Sequence, residues 1–323
     1  MSIGVIVIGR NEGTRLVASL SSLRCTDFPV IYVDSGSSDD SVAIARSNGC
    51  NVLELDPSRP FTAARARNAG FFELMRQYPA VCFVQFLDGD CELVDGWLQT
   101  AEEFLKKNPH AAMVCGRLRE RYPEHSVYNL LCDIEWDTPV GEAKACGGVA
   151  MARVDAFEQV NGFLPGLIAG EEPELCVRLR KAGWKIWRLG VEMGWHDAAM
   201  TRFEQWWIRS TRSGYGYAEG MQLHGGLPEK HWVAESHRAW IWGLGIPAGI
   251  IAAIITWGWG GVILLVIYPI QVMRLALKGK RSARENWARA LFLTLGKFPE
   301  ALGQVKFYLR KVGAGGTALI EYK

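Results

Sequence analysis

The sequence predicts an α/β chain: a doubly wound, mostly parallel sheet with helices on both faces, followed by a C-terminal helical membrane region. Three observations carry that expectation. Apolar runs of strand length alternate with helical runs through residues 1–200, several of the strand-like runs stop at a carboxylate or a glycine-rich turn, and residues 239–273 contain no charged side chain. Such alternation describes helices wound on a parallel sheet. The tract 239–277, uncharged until Arg274, has room for two membrane helices at ~20 residues each.

Residues 3–8 are mostly β-branched and read as a buried parallel strand, after which Asn11-Glu12-Gly13 turns the chain and Thr14 opens a helix to about residue 23. A second strand over 30–33 ends at Asp34-Ser35-Gly36-Ser37-Ser38-Asp39-Asp40, before a helix over 41–48. Residues 52–55 form a short third strand, and 61–74 a small-residue helix carrying Arg65, Arg67 and Asn68. The next strand begins at Val81 and stops at Asp88-Gly89-Asp90, a helix over 94–107 closes at Asn108-Pro109, and a strand covers 111–118. Residues 122–144 have weak periodicity and read as a loop over a site. Gly147-Gly148 marks a close backbone approach, and a helix over 154–160 turns at Asn161-Gly162. Glu171 and Glu172 open a helix with Leu175, Leu179 and Ala182 on one face, and a strand over 184–189 precedes a single His196.

Charge divides the chain. Residues 1–199 carry 20 Lys and Arg against 27 Asp and Glu, a net −7, whereas residues 200–323 carry 16 against 7, a net +9. A basic, Trp-rich second part beside a long apolar run points to anionic lipid head groups and away from nucleic acid. The eight cysteines include no C-x-x-C pair, which argues against zinc and against a disulfide framework. The first strand is too short for a signal peptide and lacks a basic leader. A reducing cytoplasm is the expected surroundings of the first part.

The carboxylates at strand ends are the candidate site. Asp88 and Asp90 flank a glycine at the carboxyl end of a strand, where open α/β sheets gather ligands. Two close carboxylates repel unless a cation lies between them, and a hard divalent metal such as Mg²⁺ or Mn²⁺ suits oxygen ligands and phosphate. Without a ligand the same residues read as a polar turn. Asp34 reads either as a base- or ribose-gripping acid or as a helix N-cap, Arg65 and Arg67 as partners of a diphosphate, and Glu171 and Glu172 as carboxylates favoured by a helix N-terminus.

Taken in order, these motifs resemble glycosyltransferase family 2, of the GT-A fold, over roughly residues 1–200. The resemblance rests on Val7-Ile8-Gly9-Arg10-Asn11-Glu12, Val33-Asp34-Ser35-Gly36, Arg67-Asn68-Ala69-Gly70, Asp88-Gly89-Asp90, Gly147-Gly148, Gly162-Phe163 and Gly170-Glu171-Glu172-Pro173-Glu174-Leu175. It implies a nucleotide-sugar site of Asn11, Glu12, Asp34, Arg67, Asn68, Asp88, Gly147 and Gly148. It also implies a divalent metal held by Asp90, His196 and Asp88. A catalytic base falls at Glu172 or Glu171, where the family has a Glu-Asp pair, so the choice between the two stays open. The segment Gln205-Trp206-Trp207-Ile208-Arg209 does not match the processive members' Gln-x-x-Arg-Trp, which speaks against polymerisation.

Residues 239–278 are expected to form a transmembrane hairpin, with arms over about 239–256 and 260–277 and a break at Trp257-Gly258-Trp259-Gly260-Gly261. Basic flanks at both ends place them together on the cytoplasmic side of the inner membrane. Residues 201–238 and 285–313 read as amphipathic and interfacial, the latter broken at Pro299. The combined expectation is a multi-pass, membrane-anchored, inverting glycosyltransferase whose catalytic domain faces the cytoplasm. It would use a nucleotide-diphosphate sugar and a lipid-linked or saccharide acceptor. Polyprenyl phosphate as direct acceptor is one alternative, and a non-catalytic nucleotide-binding membrane scaffold is another.

Overall fold

The computed structural model describes residues 2–24 and 28–313. The chain forms two compact units: one of Met1–Pro123, Cys132–Leu167 and Glu171–Ala199, the other of Glu124–Leu131, Ile168–Gly170 and Met200–Lys323.

The first unit is built on one sheet. In chain order it contains β1 (Ile3–Gly9), α1 (Thr14–Ser21), β2 (Val30–Asp34), α2 (Ser41–Ser47), β3 (Asn51–Glu54), α3 (Ala63–Gln77), β4 (Phe83–Asp88) and β5 (Cys91–Leu93). There follow α4 (Trp97–Lys107), β6 (Ala111–Glu120), α5 (Val127–Trp136, of which Cys132 onward belongs to this unit), β7 (Gly141–Ala143), β8 (Ala150–Arg153), α6 (Val154–Gln159), α7 (Glu171–Lys181) and β9 (Lys185–His196). The strand order is β3-β2-β1-β4-β8-β6-β9-β5, with β7 against β9. Ile3, Val5, Ile6 and Val7 are fully buried, as a continuous apolar strand covered on both faces must be. Gln85, also fully buried, is satisfied there, because its Oε1 accepts the Trp97 indole N–H at 2.9 Å and its amide donates to the Phe86 carbonyl at 2.7 Å.

Three expectations about the sheet and its connections change. The sheet is mixed: β1, β2, β3 and β4 run parallel, but β8 enters antiparallel between β4 and β6, and β5 and β7 pair antiparallel with β9. Residues 122–144 hold α5 and β7, and within the first unit Asp133 of that segment is paired with Arg117 at 2.9 Å. The strand expected over 184–189 extends to His196, because register shifts along its pairing with β6 break the period-two pattern that would reveal it.

The second unit is helical: α8 (Phe203–His224), α9 (Val233–Trp240), a π-helical turn (Ile241–Gly245), α10 (Ile246–Trp257), a 3₁₀ segment (Gly258–Val266), α11 (Ile267–Leu277), α12 (Ala283–Leu295) and α13 (Lys297–Lys311). Helices α8 and α13 cross at glycines: a Cβ on Gly214 would strike the Glu300 backbone, and one on Gly303 the Thr211 carbonyl. The expected break at Pro299 lies instead at Gly296, and Pro299 sits in the first turn of α13, where its missing N–H costs nothing. Val233–Leu277 is one helical run long and apolar enough to cross a membrane. It doubles back at Gly258, which takes a φ of +60°. A Cβ on Gly261 would lie 2.5 Å from the Ala253–Ile254 backbone, and the Tyr268 hydroxyl donates to the Trp242 carbonyl at 2.8 Å.

Candidate active site

Strand register sets the floor of the site. Gly9 of β1 lies opposite Asp34 of β2, and Ile8 opposite Asp88 of β4, so both carboxylates flank the carboxyl end of β1, where ligands collect in such sheets. Asp34 spends its oxygens on its own turn. Oδ2 accepts the Gly36 and Ser37 N–H groups at 2.9 and 2.8 Å, and Oδ1 accepts the hydroxyls of Ser37 and Tyr32 at 2.5 and 3.1 Å. Asn11, at a φ of +55°, ties the first turn to the second by accepting the Ser38 N–H at 2.7 Å and donating its own N–H to the Ser37 hydroxyl at 2.9 Å. Glu12 is buried, pairs with Arg15 at 2.8 Å and lies under the Asp88–Asp90 turn, 3.1 Å from where a Gly89 Cβ would stand.

Arg67 is the hub. Its helix α3 is capped by Thr62, whose hydroxyl accepts the Arg65 N–H at 3.0 Å. Arg67 is only 2% exposed, and its guanidinium donates to Asp88 Oδ1 at 2.7 Å and to Glu171 Oε1 at 2.6 Å. Burial works against its charge, but the two carboxylates outweigh burial and hold its pKa above the ordinary value. Gly148 must be glycine here, since a Cβ would lie 2.7 Å from Arg67 Nη2 and 2.8 Å from Asp88 Oδ2. Asn68, next along α3, clamps the turn at Gly162: its amide donates to the Phe163 carbonyl at 2.7 Å and accepts the Phe163 N–H at 3.0 Å.

Asp90 and His196 meet beside this hub. His196 Nδ1 lies 2.9 Å from Glu120 Oε2, and its Nε2 lies 3.6 Å from Asp90 Oδ2. Glu120 is itself fixed by the Ala198 N–H at 3.1 Å, and Trp136 packs edge-on against the imidazole at 4.4 Å. With Nδ1 donating to Glu120, the Nε2 lone pair faces a carboxylate. That arrangement suits a cation between them, and a carboxylate behind a histidine is the usual support of a metal ligand. Asp90, Cys91 and His196 offer ligand atoms that all lie within 4.8 Å of one another. Asp88 belongs to the Arg67 cluster and is not among these three.

The two adjacent glutamates face different surroundings. Glu171 is held by Arg67. Glu172 is 3% exposed, and its Oε1 accepts the Cys146 N–H at 2.7 Å and the Cys176 thiol at 2.9 Å, while its Oε2 is buried without a hydrogen-bond partner. Burial pushes the Glu172 carboxyl up from the ordinary carboxylate range, with the Cys176, Cys146 and Gly147 hydrogen bonds opposing. Gly147, beside the Cys146 donor, takes a φ of +96°. Cys91, Glu120, Cys146 and Cys176 are the participants that sequence reasoning missed. Only Cys91, adjacent to Asp90, left a local signal.

Comparison with known proteins agrees with this architecture. Residues 4–160 match the profile described as glycosyl transferase family 2, and residues 132–201 match one described as the N-terminal domain of galactosyltransferase. The chain is 29% identical over 227 residues to the pre-mycofactocin glycosyltransferase of Mycobacterium tuberculosis, an alignment covering 64% of this chain and 44% of that protein. It therefore spans less than half the length of the curated relative. A mannosyltransferase from Pyrobaculum calidifontis, solved with GDP-Man and Mn²⁺, superposes with a TM-score of 0.64 over 94% of this chain and 86% of that one, at 17% identity. Glucosyl-3-phosphoglycerate synthase from Mycobacterium tuberculosis, solved with Mn²⁺, UDP and glucosyl-3-phosphoglycerate, gives a TM-score of 0.50 over 69% of this chain and 80% of that one, at 20% identity. At such identities the likeness speaks to the fold.

Proposed function

We propose that this chain, which belongs to glycosyltransferase family 2 through residues 4–160, is an inverting glycosyltransferase that moves a sugar from a nucleotide diphosphate to a saccharide acceptor carried on a membrane lipid. The observation that carries the reading is the buried Arg67 joining Asp88 to Glu171 next to the Asp90–His196 pair.

Asp90 and His196 would hold Mg²⁺ or Mn²⁺, which when bound supplies positive charge against a departing diphosphate. The chain's own residues do the rest. Arg67, already oriented by two carboxylates, opposes the negative charge that develops on the diphosphate as the bond to the anomeric carbon breaks. In this reading Asp88 contacts the ribose, and Gly148, where a Cβ would strike Arg67 and Asp88, keeps that approach clear. Glu172 takes the proton from the acceptor hydroxyl as its oxygen bonds to the anomeric carbon. Its buried carboxyl, with a raised pKa, is the better proton acceptor, whereas Glu171 would first have to leave Arg67. One base and one displacement invert the anomeric centre.

The membrane reading draws on the second unit by itself. Within Val233–Leu277 little is buried, Trp257 and Trp259 at the bend are 71% and 90% exposed, and basic residues from Arg274, in the last turn of the second arm, to Arg284 mark its end. An exposed apolar tract of this size seeks lipid. In this reading the arms span the bilayer and both ends of the hairpin lie at the cytoplasmic face.

The test is release of nucleotide diphosphate by the purified full chain from a panel of sugar nucleotides, with and without Mn²⁺, followed by transfer to lipid-linked and to soluble saccharides. GDP-mannose and UDP-glucose are the first donors to try. Metal-dependent transfer to the lipid-linked acceptor is the expected outcome; donor binding without turnover would instead support a non-catalytic scaffold, and transfer to bare polyprenyl phosphate the alternative acceptor.

A further inference from the structure

We infer that Cys91 is a third protein ligand of the Asp90–His196 site, so that the site accepts a thiophilic divalent cation such as Co²⁺ or Zn²⁺ and binds it more tightly than Mg²⁺. This rests on the reading of Asp90 and His196 as metal ligands.

Sheet topology makes the juxtaposition. Strand β9 lies between β6 and β5, and its last residue, His196, stands opposite Glu120 on one side and Cys91 on the other. Asp90 precedes Cys91, and its carboxylate meets both neighbours: Oδ2 is 3.6 Å from His196 Nε2, and Oδ1 is 3.6 Å from Cys91 Sγ. In a tetrahedral site with bonds of about 2.0–2.3 Å, ligand atoms stand roughly 3.3–3.7 Å apart. The ligand atoms of all three residues lie within 4.8 Å of one another, so closing on an ion requires one Asp90 oxygen, the thiol and the imidazole to draw inward. Cys91 is 1% exposed and Asp90 7%, so the donors are held by packing.

The donor set decides the preference. One carboxylate, one thiolate and one neutral imidazole offer O, S and N donors with two negative charges, and three ligands leave an open position for phosphate oxygen. Mg²⁺ prefers a shell of oxygens, and thiolate selects softer ions. As the sulfur–metal bond forms, the thiol proton passes to solvent.

The experiment titrates the purified full chain with Co²⁺ and reads the thiolate-to-cobalt charge-transfer band together with the weaker d–d bands. Wild type should show both. Cys91→Ser should keep the d–d bands, lose the charge-transfer band and weaken Zn²⁺ binding by at least about tenfold while changing Mn²⁺ binding far less. Cys146→Ser, in the separate thiol cluster beside Glu172, should leave the charge-transfer band in place. Asp90→Asn retains every thiol and should abolish the band; it gives the answer even if Cys91→Ser and Cys91→Ala fail to fold by circular dichroism. Cobalt bound in an Asp90-dependent way without a charge-transfer band would overturn the role of Cys91 alone. Cobalt binding indifferent to Asp90→Asn would overturn the metal site itself.

Discussion

Arg67 and Glu171 meet at 2.6 Å across 104 residues of sequence, joining the start of α3 to the start of α7. The second nitrogen of the same guanidinium reaches Asp88, so one buried cation holds three elements of the site together. Arg67→Lys keeps the charge but not the two-pronged geometry. We expect turnover to fall by about one to two orders of magnitude with the fold retained, measured as nucleotide diphosphate release. Arg67→Met leaves two carboxylates without their partner and should cost about 3–5 kcal/mol of stability, read from denaturant unfolding.

Glu172→Gln and Glu171→Gln separate the two glutamates. The first should preserve donor binding and lower kcat by ~10²–10⁴, because the amide keeps the shape and loses the basic oxygen. The second should weaken donor binding more than it lowers kcat, through the loss of Arg67's partner. Calorimetric donor affinities set beside initial rates decide the assignment, and the reverse pattern makes Glu171 the base.

Glu219 of α8 offers a pH test independent of catalysis. Burial raises its carboxyl from 4.5 to about 7, against the opposing pull of Arg310 and the Ile168 N–H. A carboxyl whose pKa is raised on folding binds its proton more tightly in the folded state, so the stability it contributes is present below 4.5 and is lost as pH rises through about 7. Melting temperature should therefore decline across that window. Glu219→Gln should flatten the decline, and parallel curves for the two proteins would exclude this residue as its source.

The hairpin can be tested at its bend. Reporter fusions near Gly258 and after Val312 should lie on opposite sides of the membrane, the second in the cytoplasm; a cytoplasmic signal from both would make the hairpin interfacial. Gly261→Val places side-chain atoms against the Ala253–Ile254 backbone and should separate the arms, exposing cysteines introduced between them to a thiol reagent.

Much of this architecture is local and therefore legible in the chain itself. The order of strands and helices from β1 to β4 follows from hydrophobic period and turn residues, and Asp88, Asp90, Arg67 and the Glu171-Glu172 pair stand out because charge at the end of an apolar run is conspicuous. Glycines mark the bend at Gly258 and the approach at Gly148. Other features depended on pairing between distant segments. The antiparallel entry of β8 between β4 and β6, the reach of β9 to His196 and the row Glu120, His196, Cys91 are set by strand register. Spacing of cysteines along the chain speaks against zinc, yet the sheet sets a lone thiol beside a carboxylate and an imidazole. The enclosure of Glu172 by Cys146 and Cys176 likewise arises where α7 meets the segment before β8. Side-chain periodicity reports which face of an element is buried. It does not report which other element covers that face, because that choice rests on contacts whose energy is shared between residues far apart in sequence.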